Sequence, residues 1–369
     1  MQCRNFAELL KPEETELIIL TEGFTATRHA KTAEGVIRYG NWDLKSLIDS
    51  QYNKELAYGI PVTHSIAEAL NKFSYTKNKA LLLGIAPVGG KLPESWLKII
   101  KEAINNSCHI INGLHDFLEE KEELKSLAEQ KQVHLWDLRN PNNYPASREN
   151  HICELKDRSA QVISMVGSDC SVGKMCTALE ITKSLNEAGL KSSFLATGQT
   201  GIAITGSGIP LDRIIGDFMA GSLEKEIEYN IEAQNPDFII VEGQGSLLHP
   251  AYSSVTLALI HGSNPDALIL CHKADLEEIN GNYNIRIPDL KDLVKLYENT
   301  ANLIKIKKST KVLGISVNTS ALNDEDAQKY IQNLEKDTGL AVTDPIRFGV
   351  NKITKSISTN LKEKVIILP

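Results

Sequence analysis

Short apolar runs alternate with amphipathic stretches along most of the chain. Strand-length runs fall at 17–20 (LIIL), 80–85 (ALLLGI), 109–111 and 133–136. They resume at 162–166 (VISMV), 193–196, 238–241 (FIIV), 267–271 (ALILC) and 312–317 (VLGISV). Val/Ile/Leu runs with few polar interruptions predict parallel strands buried on both faces. Between them, 94–105, 119–130, 175–188, 288–303 and 324–336 carry helical spacing. Strand–helix alternation of this kind predicts an α/β protein with two doubly wound, mainly parallel sheets. The polar segment 139–157, rich in Pro, Asn and charge, divides the pattern, so domains are expected at 1–155 and 156–369.

Composition narrows the function. With 369 residues, 42% hydrophobic and 24% charged, the chain can bury two sizeable cores. Its 40 Lys and Arg against 47 Asp and Glu give a net charge of −7, so no basic field favours nucleic acid or an anionic membrane. No apolar run approaches the roughly 18 residues of a membrane helix, and no secretory signal is visible. The six cysteines are scattered without C-x-x-C pairs. They are expected to be reduced thiols of a cytoplasmic protein, with neither disulfides nor a metal site.

The most informative stretch is 161–189, which reads as a strand, a glycine-bounded loop, Gly-Lys and an amphipathic helix followed by Gly189. Its loop is Gly167, Ser168, Asp169, Cys170, Ser171, Val172, Gly173, Lys174 and Met175. Successive inward N–H groups, a helix N-terminus and a mobile cation would make an anion cradle there. The pattern G-x-x-x-x-G-K-[ST] is not met, because Gly167 lies one residue too early and Met175 replaces the Mg²⁺-binding hydroxyl. Thr177 lies two residues on and cannot simply take over that role. An anion-binding loop without efficient Mg²⁺–ATP hydrolysis is therefore expected.

A second constellation is 237–252, where a buried strand ends in Glu242 and runs on through Gly243, Gln244, Gly245, Ser246 and His249. In an open α/β sheet, ligands sit beyond the carboxyl ends of the strands, where both loops would lie. Glu242 suits a general base or metal ligand, and His249 a proton shuttle or a holder of a substrate carboxylate. The alternatives are an orienting role for Glu242 and a surface histidine before a proline for His249. A glycine-rich loop at 196–208 offers Gln199, Thr200 and Gly201 for binding, and Asp212 and Asp217 follow it. Arg347, after Asp344, could clamp a carboxylate or make a surface ion pair. Cys170 would have a lowered pKa at a helix N-terminus, but no matching His or Asn pattern in the sequence supports an acyl-cysteine. In the first half, Arg28, His29, Lys31 and Arg38 form a basic stretch, and G-x-G-x-x-G is absent.

These motifs carry two resemblances. GSDCSVGKM and VEGQGS resemble the phosphate loop and the V-E-G-A-G-G segment of dethiobiotin synthetase and related amide-forming enzymes. A longer resemblance joins RYG near Arg38, GIPV at 59–62, GIAPVGG at 84–90, the D-x-R-x-P at 137–141, TGQTG, DFMAG, VEGQGSLLHP and DPIRFG. Together with GSDCSVGK these resemble a family long known only as a domain of unknown function, which includes the D-glutamate N-acetyltransferases. That resemblance implies a Rossmann-like N-terminal domain, a P-loop C-terminal domain, and acetyl transfer from acetyl-CoA to the α-amine of an acidic amino acid.

The chemistry of the residues then suggests roles. The loop 167–175 would anchor the coenzyme A diphosphate, a task that needs no Mg²⁺ hydroxyl. Glu242 or Asp217 would take the amine proton, with His249 as a further catalytic candidate. Gln199, Thr200, Gly201, Gln244, Ser246 and Arg347 would meet the substrate, with Gln199 or Gln244 polarising the carbonyl. The expected partners are a small amino acid and a second copy of the chain. The alternatives are an ATP- and Mg²⁺-dependent amide ligase or kinase, and a non-catalytic nucleotide-binding protein.

Overall fold

A computed structural model describes residues 10–27, 29–87, 89–148, 158–281, 283–304 and 309–361. Cys3, Arg28, Cys153 and the 149–157 portion of the polar segment, with the expected 155/156 boundary inside it, lie outside the described residues. The chain divides into two compact units. One comprises Met1–Pro145 with Gly198–Arg213, the other Ala146–Thr197 with Ile214–Pro369.

The first unit contains β1 (Thr15–Leu20), α1 (Lys31–Tyr39), β2 (Asp43–Ile48), β3 (Leu56–Ala57), β4 (Ile60–Thr63) and α2 (Ile66–Lys72). After these come β5 (Asn78–Leu83), α3 (Trp96–Asn105), β6 (Cys108–Asn112), α4 (Glu122–Lys131) and β7 (Leu135–Asp137). Its seven strands run in the order β3-β4-β2-β1-β5-β6-β7, parallel except for β3 against β4. Every residue of β1 is buried, which is why its TELIIL can be apolar on both faces. Ile18, Leu20, Leu81, Leu83, Trp96, Ile100 and Ile110 build the core on one side of the sheet.

The second unit opens with β8 (Gln161–Gly167), α5 (Lys174–Glu187) and β9 (Ser192–Leu195). The chain then crosses into the first unit for α6 (Gln199–Thr205) and returns for α7 (Met219–Gln234), β10 (Phe238–Val241), α8 (Ser253–Ser263) and β11 (Ala267–Lys273). It ends with α9 (Leu290–Asn302), β12 (Lys311–Asn318), α10 (Asp324–Thr338), β13 (Ala341–Thr343) and α11 (Asn351–Leu361). Six parallel strands lie in the order β13-β12-β11-β8-β10-β9, so β8 sits where the winding reverses, with β10 and β11 on its two sides. That reversal opens the crevice in which α/β sheets take ligands.

The glycine-rich stretch 196–208, expected from sequence to be a loop of the second domain, contains α6 at Gln199–Thr205 and from Gly198 onward belongs to the first unit. The correction has a packing cause. Ile202, Ala203 and Ile204 are buried, the Thr200 hydroxyl meets that of Thr32 on α1 at 3.0 Å, and the Trp42 indole donates to the Ala203 carbonyl at 3.0 Å. Gly206 closes the helix in the left-handed region (φ +77°). Among the described residues, no helix is long and apolar enough to cross a membrane.

Candidate functional site

The segment after β8 takes two left-handed steps, at Ser171 (φ +57°) and Gly173 (φ +102°), before α5 begins at Lys174. A non-glycine residue in that region is strained, so Ser171 marks a turn that the surroundings impose. Among the described residues, no hydrogen-bond acceptor meets the main-chain amides of Ser171, Val172 or Gly173. Those N–H groups and the first turn of α5 give the loop its positive character.

Lys174 folds back into the loop. Its Nζ donates to the Asp169 carbonyl at 2.7 Å and to the Gly245 carbonyl at 2.9 Å, and the residue is 6% exposed. Burial pushes its pKa down, opposed by the charges of Cys170, Cys271, Asp169 and Glu242 in that order. Gly243 leaves room for this arm. A Cβ there would stand 2.0 Å from the Met165 carbonyl oxygen and 2.8 Å from Lys174 Cδ. Thr177 cannot stand in for the missing Mg²⁺ hydroxyl, because its Oγ1 is buried between the Gly173 carbonyl (3.0 Å) and Ser316 Oγ (2.7 Å).

Glu242 caps the neighbouring strand. It is buried, and its Oε2 accepts the Thr197 amide at 2.8 Å. Gln244 donates from Nε2 to the Thr197 carbonyl and, at 3.2 Å, to its hydroxyl. Ser246 is buried and donates to the Ser168 carbonyl at 3.0 Å, so it ties two loops together. Tyr297 reinforces that tie, its hydroxyl donating to the Gly167 carbonyl at 2.6 Å and accepting from the Leu247 amide at 3.1 Å. Burial holds the Tyr297 phenol above its ordinary pKa. His272 packs beneath the loop with Nδ1 2.9 Å from Ser168 Oγ, and burial lowers its pKa to about 4.

The loop also gathers groups that lie far apart in sequence. One carboxylate oxygen of Asp169, the sulfur of Cys170 and one ring nitrogen of His249 lie within 4.8 Å of one another. Asp169 is fully buried. Its Oδ2 accepts from the Asn280 amide (2.7 Å) and Nδ2 (2.6 Å), while its buried Oδ1 has no hydrogen-bond partner among the described residues. His249 is buried, its Nδ1 accepts the Ala251 amide at 3.2 Å, and its ring lies against Tyr252 and Tyr283. Sequence reading had Asp169, Cys170 and His249 singly but not as a group, and it missed Tyr297, His272 and Asn280. No spacing rule links these positions, because only the strand order brings them together.

Other expected residues stand elsewhere. Gln199 and Thr200 are buried within the first unit, where Gln199 Oε1 accepts from Arg139 Nη2 at 2.6 Å. Arg139 also donates to the Gly113 carbonyl at 2.9 Å and pairs with Asp212, and Gly201 receives the Thr205 hydroxyl at 3.0 Å. Asp217 is exposed on the turn Gly216–Phe218 and is not a principal charge acting on Lys174. Arg347 donates to the Leu322 carbonyl at 2.7 Å and pairs with Asp324 at 3.4 Å, the surface arrangement named as its alternative. Asp344 is a staple of its own loop, accepting from Thr319, Ile346 and Arg347.

A β-strand at the winding reversal, an amide-lined turn and a buried lysine opening the next helix define a P-loop domain, here in one chain with a second α/β unit. Residues 151–354 match the P-loop domain, and 49–141 the Rossmann-like domain, of a family described as a domain of unknown function, DUF1611. The chain belongs to that family. It is 40% identical over 282 residues to a D-glutamate N-acetyltransferase of Tritonibacter scottomollicae, covering 76% of this chain and 81% of that one. A protein of the same name from a Pseudoalteromonas species is 38% identical over 279 residues, again 76% and 81%. The crystal structure of a DUF1611 family protein from Anabaena variabilis superposes with a TM-score of 0.85 at 33% identity, covering 94% of this chain and 99% of that one.

Proposed function

We propose that this protein is an N-acetyltransferase that moves an acetyl group from acetyl-CoA to the α-amine of an acidic amino acid, with D-glutamate the first acceptor to test. The similarity to two proteins named D-glutamate N-acetyltransferase supports the reaction class. The observation that carries the reading is the loop after β8. It combines an amide-lined turn with a buried lysine, while Met175 replaces the usual hydroxyl and Thr177 is hydrogen-bonded inside the protein. Such a site holds negative charge without arranging Mg²⁺ for phosphate cleavage. Acetyl-CoA brings both a diphosphate and a thioester carbonyl whose oxygen gains negative charge on attack, and the loop suits either.

Acyl transfer needs an acceptor for the amine proton and donors for the oxyanion. Glu242 and Asp169 supply carboxylates close enough to act on Lys174, and the loop amides supply donors. The test is a thiol-release screen of acetyl-CoA against D- and L-amino acids, with Lys174→Ala alongside. Thiol release that depends on an acidic amino acid, and falls about 10²–10³-fold in Lys174→Ala, is the expected result. Mg²⁺-dependent ADP formation with no thiol release would replace this reading with the amide-ligase one.

A further inference from the structure

We infer that Cys170 carries the acetyl group covalently between donor and acceptor, held as a thiolate nucleophile by Lys174, His249 and the start of α5. The inference rests on the acetyl-transfer reading above and assigns the loop to the acyl end of the donor.

The sequence offered no histidine to Cys170, but the structure does. A His249 ring nitrogen and an Asp169 oxygen share its neighbourhood within 4.8 Å. The hydrogen bonds of His249 select its part. Because Nδ1 accepts the Ala251 amide, the neutral ring carries its proton on Nε2 and presents a donor there. A ring in that state has no lone pair left for a metal, and metal-bound histidines instead donate from their second nitrogen. The Nε2–H is the group of this ring that can donate to a Cys170 thiolate. Lys174 brings its Nζ into the same loop, 2.7 Å from the carbonyl oxygen of Asp169, the residue before Cys170. The loop amides and the first turn of α5 add partial positive charge, the setting in which cysteine thiols ionise near neutrality. Cys170 itself is half-buried, whereas Cys271 below it is sealed and its thiol pushed up to about 11.

The second observation is Asp169 Oδ1, a fully buried carboxylate oxygen with no partner among the described residues. An acceptor this buried is costly unless something donates to it, and the incoming amine does so. In the first step the Cys170 thiolate attacks the acetyl carbonyl, the oxyanion meets the loop amides, and the carbon–sulfur bond to coenzyme A breaks. Coenzyme A leaves as a thiolate and takes a proton from solvent. In the second step the amine attacks the acetyl-cysteine, its proton passes by way of Asp169 to solvent, and the Cys170 thiolate departs. The protons cancel, leaving free coenzyme A and an amide.

This use of the loop excludes the diphosphate anchor expected from sequence. The arm between diphosphate and sulfur spans roughly four residue lengths, about 15 Å, so one bound donor cannot place both ends in the same turn.

The test uses the full chain, quenched with acid after incubation with acetyl-CoA alone. Intact mass and peptide mapping should find one acetyl group on Cys170, released by hydroxylamine at neutral pH and discharged by D-glutamate. Cys170→Ala and Cys170→Ser should form no adduct and lose about a thousandfold in turnover, with thermal melts confirming that they fold. His249→Gln, which keeps a side-chain N–H, should retain adduct formation within about tenfold, whereas His249→Leu should not. A Cys170→Ala enzyme that still acetylates within a few-fold of wild type, or active wild type with no adduct, would overturn the covalent step and leave the acetyl-transfer reading standing. Wild type that releases no thiol with any acidic amino acid would remove both.

Discussion

The two units place a loop at the same topological position and treat it in opposite ways. In the first, β1 lies between β2 and β5, and the turn after it aims the Gly23 and Thr25 amides at the Asp49 carboxylate (2.9 and 3.2 Å). Gln51 adds its own amide at 3.0 Å. Burial alone would raise the pKa of Asp49, but these donors and the Thr25 side chain outweigh it and hold the carboxyl below its ordinary value. In the second, β8 lies between β10 and β11, and the corresponding turn holds a stowed lysine together with the buried Asp169 carboxylate, which accepts from Asn280. Turn amides thus meet an internal carboxylate in the first unit, whereas those of Ser171, Val172 and Gly173 in the second meet no acceptor among the described residues. In the first half Asp49 takes the Gly23 and Thr25 amides of that turn, which leaves neither to a ligand.

Substitutions can break the contrast. The largest effect should come from Lys174→Ala, with thiol release falling about 10²–10³-fold, whereas Asp49→Ala should leave turnover per folded molecule within a few-fold. Next come two glycines that follow the strands flanking these loops. At Gly243 an added Cβ meets the Met165 main chain, which cannot step aside, so Gly243→Ala should cost about 3 kcal/mol or more in denaturant unfolding. At Gly84 the nearest obstruction is the Ile19 methyl at 2.4 Å, and Gly84→Ala should cost roughly 1–2 kcal/mol because a side chain can shift.

Asp49→Ala strands the amides that the carboxylate satisfied and should destabilise by about 2 kcal/mol, with Asp49→Asn recovering part of it. The smallest effect concerns acid. His272 has a pKa of about 4 when folded against 6.5 as its ordinary value, so the unfolded chain binds more protons between those limits. Stability should be full above pH 6.5 and fall as pH drops toward 4, and His272→Gln should flatten that limb by roughly 1–2 kcal/mol.

What could be read from sequence follows from how locally each feature is encoded. β1, β8, β10 and β11 were legible because burial on both faces demands unbroken apolar runs. β2, with its half-buried Asp43–Lys45 portion, and β13, only three residues long, lack that signature. The loop 167–175 was legible as an anion site because its amides and lysine are contiguous. Its neighbours were not, since Tyr297, Asn280 and His249 reach it from α9 and from loops more than seventy residues away, as the Asp169–Asn280 separation of 111 illustrates. Arg139 and Gln199 illustrate the same limit in the first unit, 60 positions apart yet hydrogen-bonded.

The excursion of the chain into the first unit at Gly198–Arg213 sets a constraint on synthesis. That unit lacks a structural segment until residue 213 has emerged from the ribosome, by which point β8, α5 and β9 of its neighbour have already been made. Nascent chains arrested near residue 145 would present the apolar seat of Ile202 and Ala203 to chaperones, and a gene cut at that point would encode an incomplete fold rather than an independent module.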